Sequence, residues 1–299
     1  MTDHRIYTFL KLCELMNYRK TAEALNMTQP AVTQHIHVLE QEYGCRLFLY
    51  ENRVLTKTPA AARLEKYAVS LLYNDKIFRE NLLLPSPRRF SIGATKTIGE
   101  YTVARDLLAL STRSDLSLEL IIDNTENLLT RLNALQLDFL LVEGYIDKNS
   151  YGHRLIRREE LVGICSSKHP FAAKKEVPVE ELLKEHIYIR ESGSGTRAVF
   201  ENFLRENGYS TDSFSRTSTI SSFKLIEQAV SAGCGISFVY ESIPASSPDL
   251  SSFRIKGSRI FHEFNYVYLK DTPTEKNLDQ VISDYFPSLS QLPLSDPLV

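Results

Sequence analysis

The sequence lacks the features that would place the protein in a membrane, outside the cell or among disulfide-linked proteins. Its 299 residues contain no apolar run of about 18 residues, so we expect no membrane-spanning helix. The N-terminal stretch contains Asp3 and no apolar core followed by small residues, so we expect no export and a cytoplasmic protein. The four cysteines form no Cys-x-x-Cys pair, which favours reduced thiols over disulfides or a metal site.

The motifs of several large enzyme classes are also missing. There is no phosphate-binding loop of the GxxxxGK[ST] type, no HExxH, no GxSxG and no dinucleotide glycine fingerprint. Gly193-Ser194-Gly195 is too short a glycine pattern for a nucleotide loop, and the histidines are not spaced as metal pairs. We therefore expect a protein that is not an enzyme and that needs no metal or cofactor.

Charge is unevenly distributed along the chain. The net charge is −2, but up to Arg89 there are 13 Lys and Arg residues against 9 Asp and Glu residues. A mildly basic front part fits contact with DNA. Because the excess is small, binding would depend on well-placed contacts and on more than one copy of the domain.

The residues Arg19–Gly44 predict two helices separated by a tight turn, the first over Arg19–Asn26. Thr28 is a natural N-cap for the second helix, and Pro30 is tolerated in its first turn. The second helix is predicted to bury one stripe, formed by Val32, Ile36, Leu39 and Tyr43. Its opposite face is polar and suits the major groove of DNA. That face carries Pro30, Thr33, Gln34, His37 and Gln41.

Elements on either side complete a small domain. An earlier helix is predicted over Arg5–Met16, with an apolar stripe of Ile6, Phe9, Leu10, Cys13 and Met16. After Gly44, two short strands over 46–50 and 53–56 predict a wing. Arg46, Arg53 and Lys57 would reach phosphates beside the second helix, since phosphate contacts position a domain while helix side chains identify bases.

The stretch AEALNMTQPAVTQHIHVLEQEYGCRLF resembles the DNA-binding signature of LysR-type transcriptional regulators. The resemblance implies an α/β protein with a winged helix-turn-helix domain (1–58), a linker and dimerisation helix with hinge (59–87) and a two-lobed α/β effector domain like a periplasmic binding protein (88–299). The chain departs from the family pattern at Tyr50, at Lys57-Thr58 and at Ala61, which lie in or next to the predicted wing. The residues expected to contact DNA are Thr28, Gln29, Pro30, Thr33, Gln34, His37, Arg53 and Lys57.

A long helix is predicted from Pro59 to about Leu84. Its apolar residues recur close to a heptad seam, at Leu64, Tyr67, Ala68, Leu71, Phe78 and Leu82. The seam could pack on its own domain. In relatives the corresponding helix pairs with a second chain, so we expect a homodimer, assembled further into a tetramer. Residues 85–89, with two prolines, predict a hinge.

From Phe90 onward, strands and helices alternate, starting with a strand over Phe90–Ala94 and a helix over Ile98–Leu110. This alternation predicts parallel sheet covered by helices. The second strand series is predicted to begin at Leu161–Cys165. By the family resemblance, lobe I takes residues 88–160 and 265–299, and lobe II takes residues 161–264. The tail from Pro287 is predicted to be extended or disordered.

Hydroxyl-bearing segments follow several predicted strands, where open parallel sheets bind ligands. Plain N-capping would also explain each hydroxyl taken singly, but helix N-termini favour anions. We expect a small-molecule effector, either a carboxylate or an inorganic oxyanion. Glu143 and Glu191 would oppose a simple anion if they face the cleft, and could instead hold an amino group or an ordered water. The expected effector contacts are Thr95, Lys96, Thr97, Asn124, Thr125, Ser192, Ser194, Thr196 and Ser221.

The sequence therefore predicts a DNA-binding transcription regulator controlled by an effector between two lobes. Its expected partners are double-stranded promoter DNA, the effector, further copies of itself and RNA polymerase, with no membrane. A solute-binding or transport-linked protein is the alternative suggested by the two lobes, and a nucleoid-like DNA protein is a third. The DNA-binding front end speaks against the former, and the large ligand-binding part against the latter.

Overall fold

The computed structural model of the chain describes residues 3–51, 54–82, 88–243 and 248–286. The chain divides into two compact units. The first extends to Ser86 and includes Lys270–Pro273, and the second contains the remaining residues from Pro87 onward. Of the predicted hinge at 85–89, residues 85–87 lie outside the described residues, as does the tail from Pro287, whereas Arg88 and Arg89 already belong to the first strand of the second unit.

Three helices form the core of the first unit: α1 (His4–Leu15), α2 (Tyr18–Ala24) and α3 (Gln29–Tyr43). Each begins at a side-chain cap, formed by Asp3, Asn17 and Thr28 respectively. These caps satisfy backbone N–H groups that a helix start leaves without a partner. The helices bury a common apolar centre that includes Ile6, Phe9, Leu12, Val32, Ile36 and Leu39.

Two details of this core differ from the sequence prediction. Tyr43 is 46% exposed, because it lies in the last turn of α3 beyond the packed stripe, immediately before Gly44 ends the helix with a left-handed backbone. In α1 the buried stripe includes Leu12, whereas Leu10 is only half-buried. The neighbouring positions Phe9 and Cys13 are buried as predicted.

A two-stranded antiparallel hairpin follows, with β1 (Phe48–Glu51) and β2 (Val54–Lys57). Glu40 of α3 ties the hairpin to the helices, because its carboxylate accepts the backbone N–H of Leu47 at 2.7 Å. The long helix α4 (Pro59–Leu82) starts after Thr58, whose Oγ1 accepts the N–H of Ala61 at 3.1 Å. The wing predicted from sequence is therefore present, shifted by one or two residues.

The apolar seam predicted for α4 is largely at the surface. Tyr67, Phe78 and Leu82 are 61%, 62% and 66% exposed, and Leu71 is 36% exposed. Ala68 is fully buried and borders the packed face of the helix that Ala61 and Leu72 share, which corrects its assignment to the exposed seam. None of the described helices combines the length and apolar character that spanning a membrane requires.

The second unit begins with lobe I. Its β3 is followed by a π-helical turn at Ile98–Thr102 and then by α5, so the single helix predicted from 98 to 110 is interrupted at Val103. Its elements are β3 (Arg88–Thr95), α5 (Ala104–Ser111), β4 (Leu116–Asp123), α6 (Thr125–Asn133) and β5 (Phe139–Glu143).

The chain then passes into lobe II through one long strand. β6 (Tyr151–Ser166) has 16 residues, whereas only its last part was predicted, and β7, α7 and β11 were not predicted. The other elements are β7 (Glu176–Val177), α7 (Val179–Leu182), β8 (His186–Ile189), α8 (Gly195–Glu206), β9 (Arg216–Thr219), α9 (Phe223–Ser231), β10 (Ile236–Tyr240), β11 (Leu250–Ile255), β12 (Ile260–Leu269) and α10 (Pro273–Tyr285).

Both lobes share one sheet with the strand order β4-β3-β5-β12-β6-β10-β8-β9. β3 is parallel to β4 and β5 in lobe I, and β8 is parallel to β9 and β10 in lobe II. The antiparallel pair β6 and β12 connects the lobes. The predicted parallel sheets are therefore confirmed, with two antiparallel crossing strands between them.

Candidate DNA-reading surface and effector site

The exposed face of α3 presents the predicted base-contacting side chains. Gln29, Pro30, Thr33, Gln34 and His37 are all exposed, while the opposite stripe of the same helix is buried. Thr28 is also exposed and serves as the N-cap, with Oγ1 3.4 Å from the N–H of Ala31. The helix therefore offers amides and hydroxyls that can pair with base edges in a major groove.

The cations expected to bind phosphate are held in surface ion pairs. Lys57 Nζ lies 2.8 Å from Glu65, and Arg46 Nη1 lies 3.1 Å from Glu40. Exposed pairs of this kind are worth about 0–1 kcal/mol, so phosphate can compete for both cations. Arg53 lies outside the described residues.

In the second unit, the predicted hydroxyls converge on the carboxylate of Glu143, at the carboxyl end of β5. Thr95, at the end of β3, donates to Glu143 Oε2, and Thr196 Oγ1 in α8 donates to Oε1 at 3.3 Å. Thr97 also bonds to this carboxylate, and its side chain does not cap the π-helical turn that follows it. These three hydroxyls thus meet at one group and do not serve as isolated helix caps.

Glu143 is only 2% exposed, and Thr125 Oγ1 donates to its backbone oxygen at 2.9 Å. Burial raises the pKa of Glu143, because removing a carboxylate from water disfavours its charged form. The hydrogen bonds from Thr95 and Thr97 and the positive charge of Arg190 act in the opposite direction. The cleft therefore contains a buried carboxyl group among hydroxyl donors.

Glu191 also faces this region, but it is paired. Its carboxylate accepts Arg190 Nε at 2.8 Å and Nη2 at 3.0 Å, and Lys96 Nζ lies 3.3 Å away. Lys96 further donates to the backbone oxygen of Ser221 at 2.8 Å, while the side chain of Ser221 is exposed. Lys96 thereby links lobe I to two segments of lobe II.

Three predicted contacts lie in helix-capping or groove positions. Asn124 caps α6 by accepting the N–H of Asn127 at 2.8 Å, and Ser194 caps α8 by accepting the N–H of Arg197 at 3.5 Å. Ser192 is exposed and, with Thr125 and Ser194, lines a surface groove of about 250 Å³. Asn124 and Ser194 are therefore helix N-caps, which was the alternative explanation considered for these residues from the sequence.

Sequence analysis did not identify Gly144, Arg190 or Tyr240 as parts of this site. A Cβ at Gly144, whose φ is +101°, would lie 2.6 Å from Gly195 Cα, so this backbone approach between the lobes requires glycine. The Tyr240 hydroxyl is buried and has no hydrogen-bond partner among the residues that the structure describes. In the sequence, the only indication of this contact was a glycine, Gly144, directly after Glu143 at the end of a predicted strand.

A winged helix-turn-helix with an exposed polar recognition helix, carried on the same chain as a two-lobed α/β unit, defines a ligand-responsive DNA-binding regulator. The family models agree with this class. Residues 4–62 match the bacterial regulatory helix-turn-helix protein of the lysR family, and residues 85–283 match the LysR substrate binding domain. The chain belongs to the LysR family of transcriptional regulators.

Relatives along most of the chain are regulators. The HTH-type transcriptional regulator CysL of Bacillus subtilis is 28% identical over 285 residues, covering 92% of this chain and 94% of its own. The HTH-type transcriptional activator CmpR of Synechocystis is 32% identical over 244 residues, covering 80% and 78%. These similarities confirm the predicted role in DNA-binding regulation.

Solved structures show the same fold. An H2O2-bound cysteine mutant of Corynebacterium glutamicum OxyR has a TM-score of 0.59 at 19% identity, covering 99% of this chain and 97% of that chain. The Synechocystis PCC6803 CcmR regulatory domain in complex with 2-PG has a TM-score of 0.58 at 22% identity, covering 66% and 97%.

Proposed function

We propose that this regulator recognises promoter DNA through Gln29, Pro30, Thr33, Gln34 and His37. We also propose that it responds to a small effector with a carboxylate or oxyanion group, bound where Thr95, Thr97 and Thr196 meet. The observation that carries the effector class is the carboxylate of Glu143, which these threonines hold. A set of donors that accommodates one carboxylate has the chemistry to bind another, once Glu143 moves or shares its donors.

The DNA half of the proposal rests on the asymmetry of α3. Its buried stripe fixes the helix, and its exposed face carries hydrogen-bonding side chains. Phosphate binding is assigned to Lys57 and Arg53, with Lys57 released from Glu65. Because the first unit has only a small excess of positive charge, we propose that two copies act together on two half-sites.

The exposed seam of Tyr67, Leu71, Phe78 and Leu82 supports assembly. Apolar side chains at this spacing favour a second helix over water, so we propose a dimer through α4 and a tetramer built from dimers. RNA polymerase is a further proposed partner, and the cytoplasm is the proposed location. We propose no catalytic role, since the relatives along most of the chain are transcriptional regulators.

The effector class can be tested with full-length protein. A panel of small carboxylates and oxyanions, together with neutral compounds and amines of similar size, is screened by thermal shift, and each hit is titrated by calorimetry against the unmodified protein and a Thr196→Val variant. We expect stabilisation that the variant loses. Stabilisation by neutral or cationic compounds alone would contradict the anionic class.

Operator recognition requires a separate experiment. DNA fragments are selected from a random pool on the full-length protein, and the enriched sequence is measured with and without each hit. We expect an effector to change the affinity for the enriched sequence and to have little effect on random DNA.

A further inference from the structure

We infer that Glu143 makes the cleft select anions that carry a proton donor beside their charge, such as a 2-hydroxy acid, a 2-amino acid or hydrogenphosphate. Anions without such a donor, such as sulfate or a simple carboxylate, are rejected. The inference rests on the proposed anionic effector and narrows its chemical class.

The first support is geometric. Thr95 and Thr97 lie on one segment at the end of β3 and Thr196 lies in α8 of the other lobe, and all three bond to the same carboxylate. An anion that takes up any of these hydroxyls must therefore lie within hydrogen-bonding distance of a Glu143 oxygen. The hydrogen bonds from Thr95 and Thr97 and the charge of Arg190 favour the ionised form of Glu143 against the effect of burial on its pKa. In that form the carboxylate only accepts hydrogen bonds, so the group of the ligand that meets it has to donate one.

The second support is the balance of charge. Arg190 is the cation that lowers the pKa of Glu143, but it is held at two positions by Glu191. Lys96 is bound to Glu191 and to the backbone of Ser221. Within the described part of the cleft, both cations are thus already shared with a second carboxylate. These cations would compensate poorly for a second negative charge beside Glu143, unless a proton lies between the oxygen of the ligand and the oxygen of Glu143.

The third support is Tyr240. Its hydroxyl is completely buried and makes no hydrogen bond within the described structure, and the charge of Glu143 is the main influence on its pKa after burial. A phenol is a neutral donor that can serve an anionic oxygen. A bound anion that reaches Tyr240 therefore gains a neutral donor, which adds no charge beside Glu143.

Matched pairs of anions test this selection on full-length unmodified protein. Glycolate is compared with acetate, lactate with propionate, and hydrogenphosphate with sulfate, at neutral pH and constant ionic strength, by calorimetry and thermal shift. We expect the donor-bearing member of at least one pair to bind at least about tenfold more tightly, because a buried acceptor left unpaired strongly disfavours a ligand.

A Glu143→Gln variant tests whether Glu143 causes the selection. The amide of glutamine can donate as well as accept, so the preference should fall to within about twofold, chiefly through tighter binding of the member without a donor. Glu181→Gln, at the surface of α7 and paired with Lys174, is the matched control and should retain the full preference.

The possible results distinguish failure of the selection by Glu143 from failure of the proposed anionic effector. Equal binding of both members of every pair, unchanged in Glu143→Gln, would overturn the selection and leave the anionic effector standing. Binding of no member of any pair would overturn both. If Glu143→Gln does not fold, the comparison on the unmodified protein still decides, since it requires no variant.

Discussion

The exposed face of α3 and the cleft around Glu143 are both rich in hydrogen-bonding groups, yet they are arranged in opposite ways. On α3 the polar side chains are exposed to water, even where Thr33 bonds to the backbone of Gln29 and Gln41 to His37, and the apolar stripe behind them holds the helix in place. In the cleft, the polar side chains are buried and bonded to one another. The DNA-reading surface is therefore ready to bind, whereas the effector site must exchange internal hydrogen bonds for bonds to its ligand.

This difference has an energetic consequence. An exposed amide that meets a base exchanges bonds with water for bonds to DNA. A ligand in the cleft replaces bonds that are already formed in a dry site, so affinity depends on how well it restores them. Selectivity is expected to be sharper in the cleft than on α3.

The largest effect is expected from substitutions in α4. A dimer formed through this helix would carry two copies of the α3 surface, one for each half-site. Leu71→Glu and Phe78→Glu place a charge in the exposed seam and should produce monomers, with affinity for a two-half-site operator lowered at least about a hundredfold, since the two sites no longer act together. Light scattering and DNA titration measure both effects. Lys66→Glu is the control outside the seam. A monomeric unmodified protein would contradict the proposed assembly.

The next effect tests the buried side of α3. Leu39→Ala removes a fully buried side chain and should lower the free energy of unfolding of the first unit by about 2–5 kcal/mol. Gln41→Ala, on the exposed face, should change it by less than about 0.5 kcal/mol. Chemical denaturation provides both values. Similar losses in the two variants would mean that α3 is not packed as described.

Thr97→Val tests the cleft directly. Loss of one buried hydrogen bond to a charged ligand should weaken effector binding by about ten- to a hundredfold, since each 1.4 kcal/mol is about tenfold. Affinity for DNA without effector should remain within a few-fold. Calorimetry with and without operator should show the same coupling factor in both directions. Thr130→Val, exposed on α6, is the control, and unchanged effector binding in Thr97→Val would place the site elsewhere.

Gln29→Ala tests the exposed face. A glutamine that pairs with adenine contributes about 1–3 kcal/mol of discrimination, so the variant should lose preference for the operator more than affinity for random DNA. Competition titrations separate the two quantities. Equal weakening on both kinds of DNA would assign Gln29 a phosphate-directed or structural role.

The smallest effect concerns stability and pH. Because the pKa of Glu143 is raised in the folded protein, this group favours folding at pH values below its unfolded pKa of about 4.3 and loses that contribution as pH rises through the raised value. Glutamine resembles the protonated acid, so Glu143→Gln should melt a few degrees higher than the unmodified protein at mildly alkaline pH, with the difference vanishing in acid. A difference that grows on acidification would reverse the assigned direction.

Sequence patterns predicted most of the fold because its elements are marked locally. Thr28, Pro30 and the spacing of Val32, Ile36 and Leu39 specify α3 almost without tertiary information. β7, β11 and the first half of β6 were missed because they depend on pairing with distant strands. The π-helical turn at Ile98–Thr102 was missed because its apolar pattern continues that of a regular helix.

The site was only partly predictable for a related reason. Hydroxyls at strand ends indicated the right segments, and Thr95, Thr97, Thr125 and Thr196 do meet. Sequence alone could not show that they meet at Glu143, because that depends on how closely Gly144 approaches Gly195. The capping roles of Asn124 and Ser194 likewise required the geometry of each helix start.

The paired crossing strands β6 and β12 have a mechanical consequence. The two strands are paired from Leu161 with Ile260 to Tyr151 with Leu269. Rotation of one lobe against the other must therefore twist both strands together. Their register shifts between Phe264 and Asn265, so the regular hydrogen bonding between the two strands is interrupted at this point. Rotation between the lobes would also have to break the hydrogen bond from Thr196 of lobe II to Glu143 of lobe I, so the crossing strands and this site constrain the same movement.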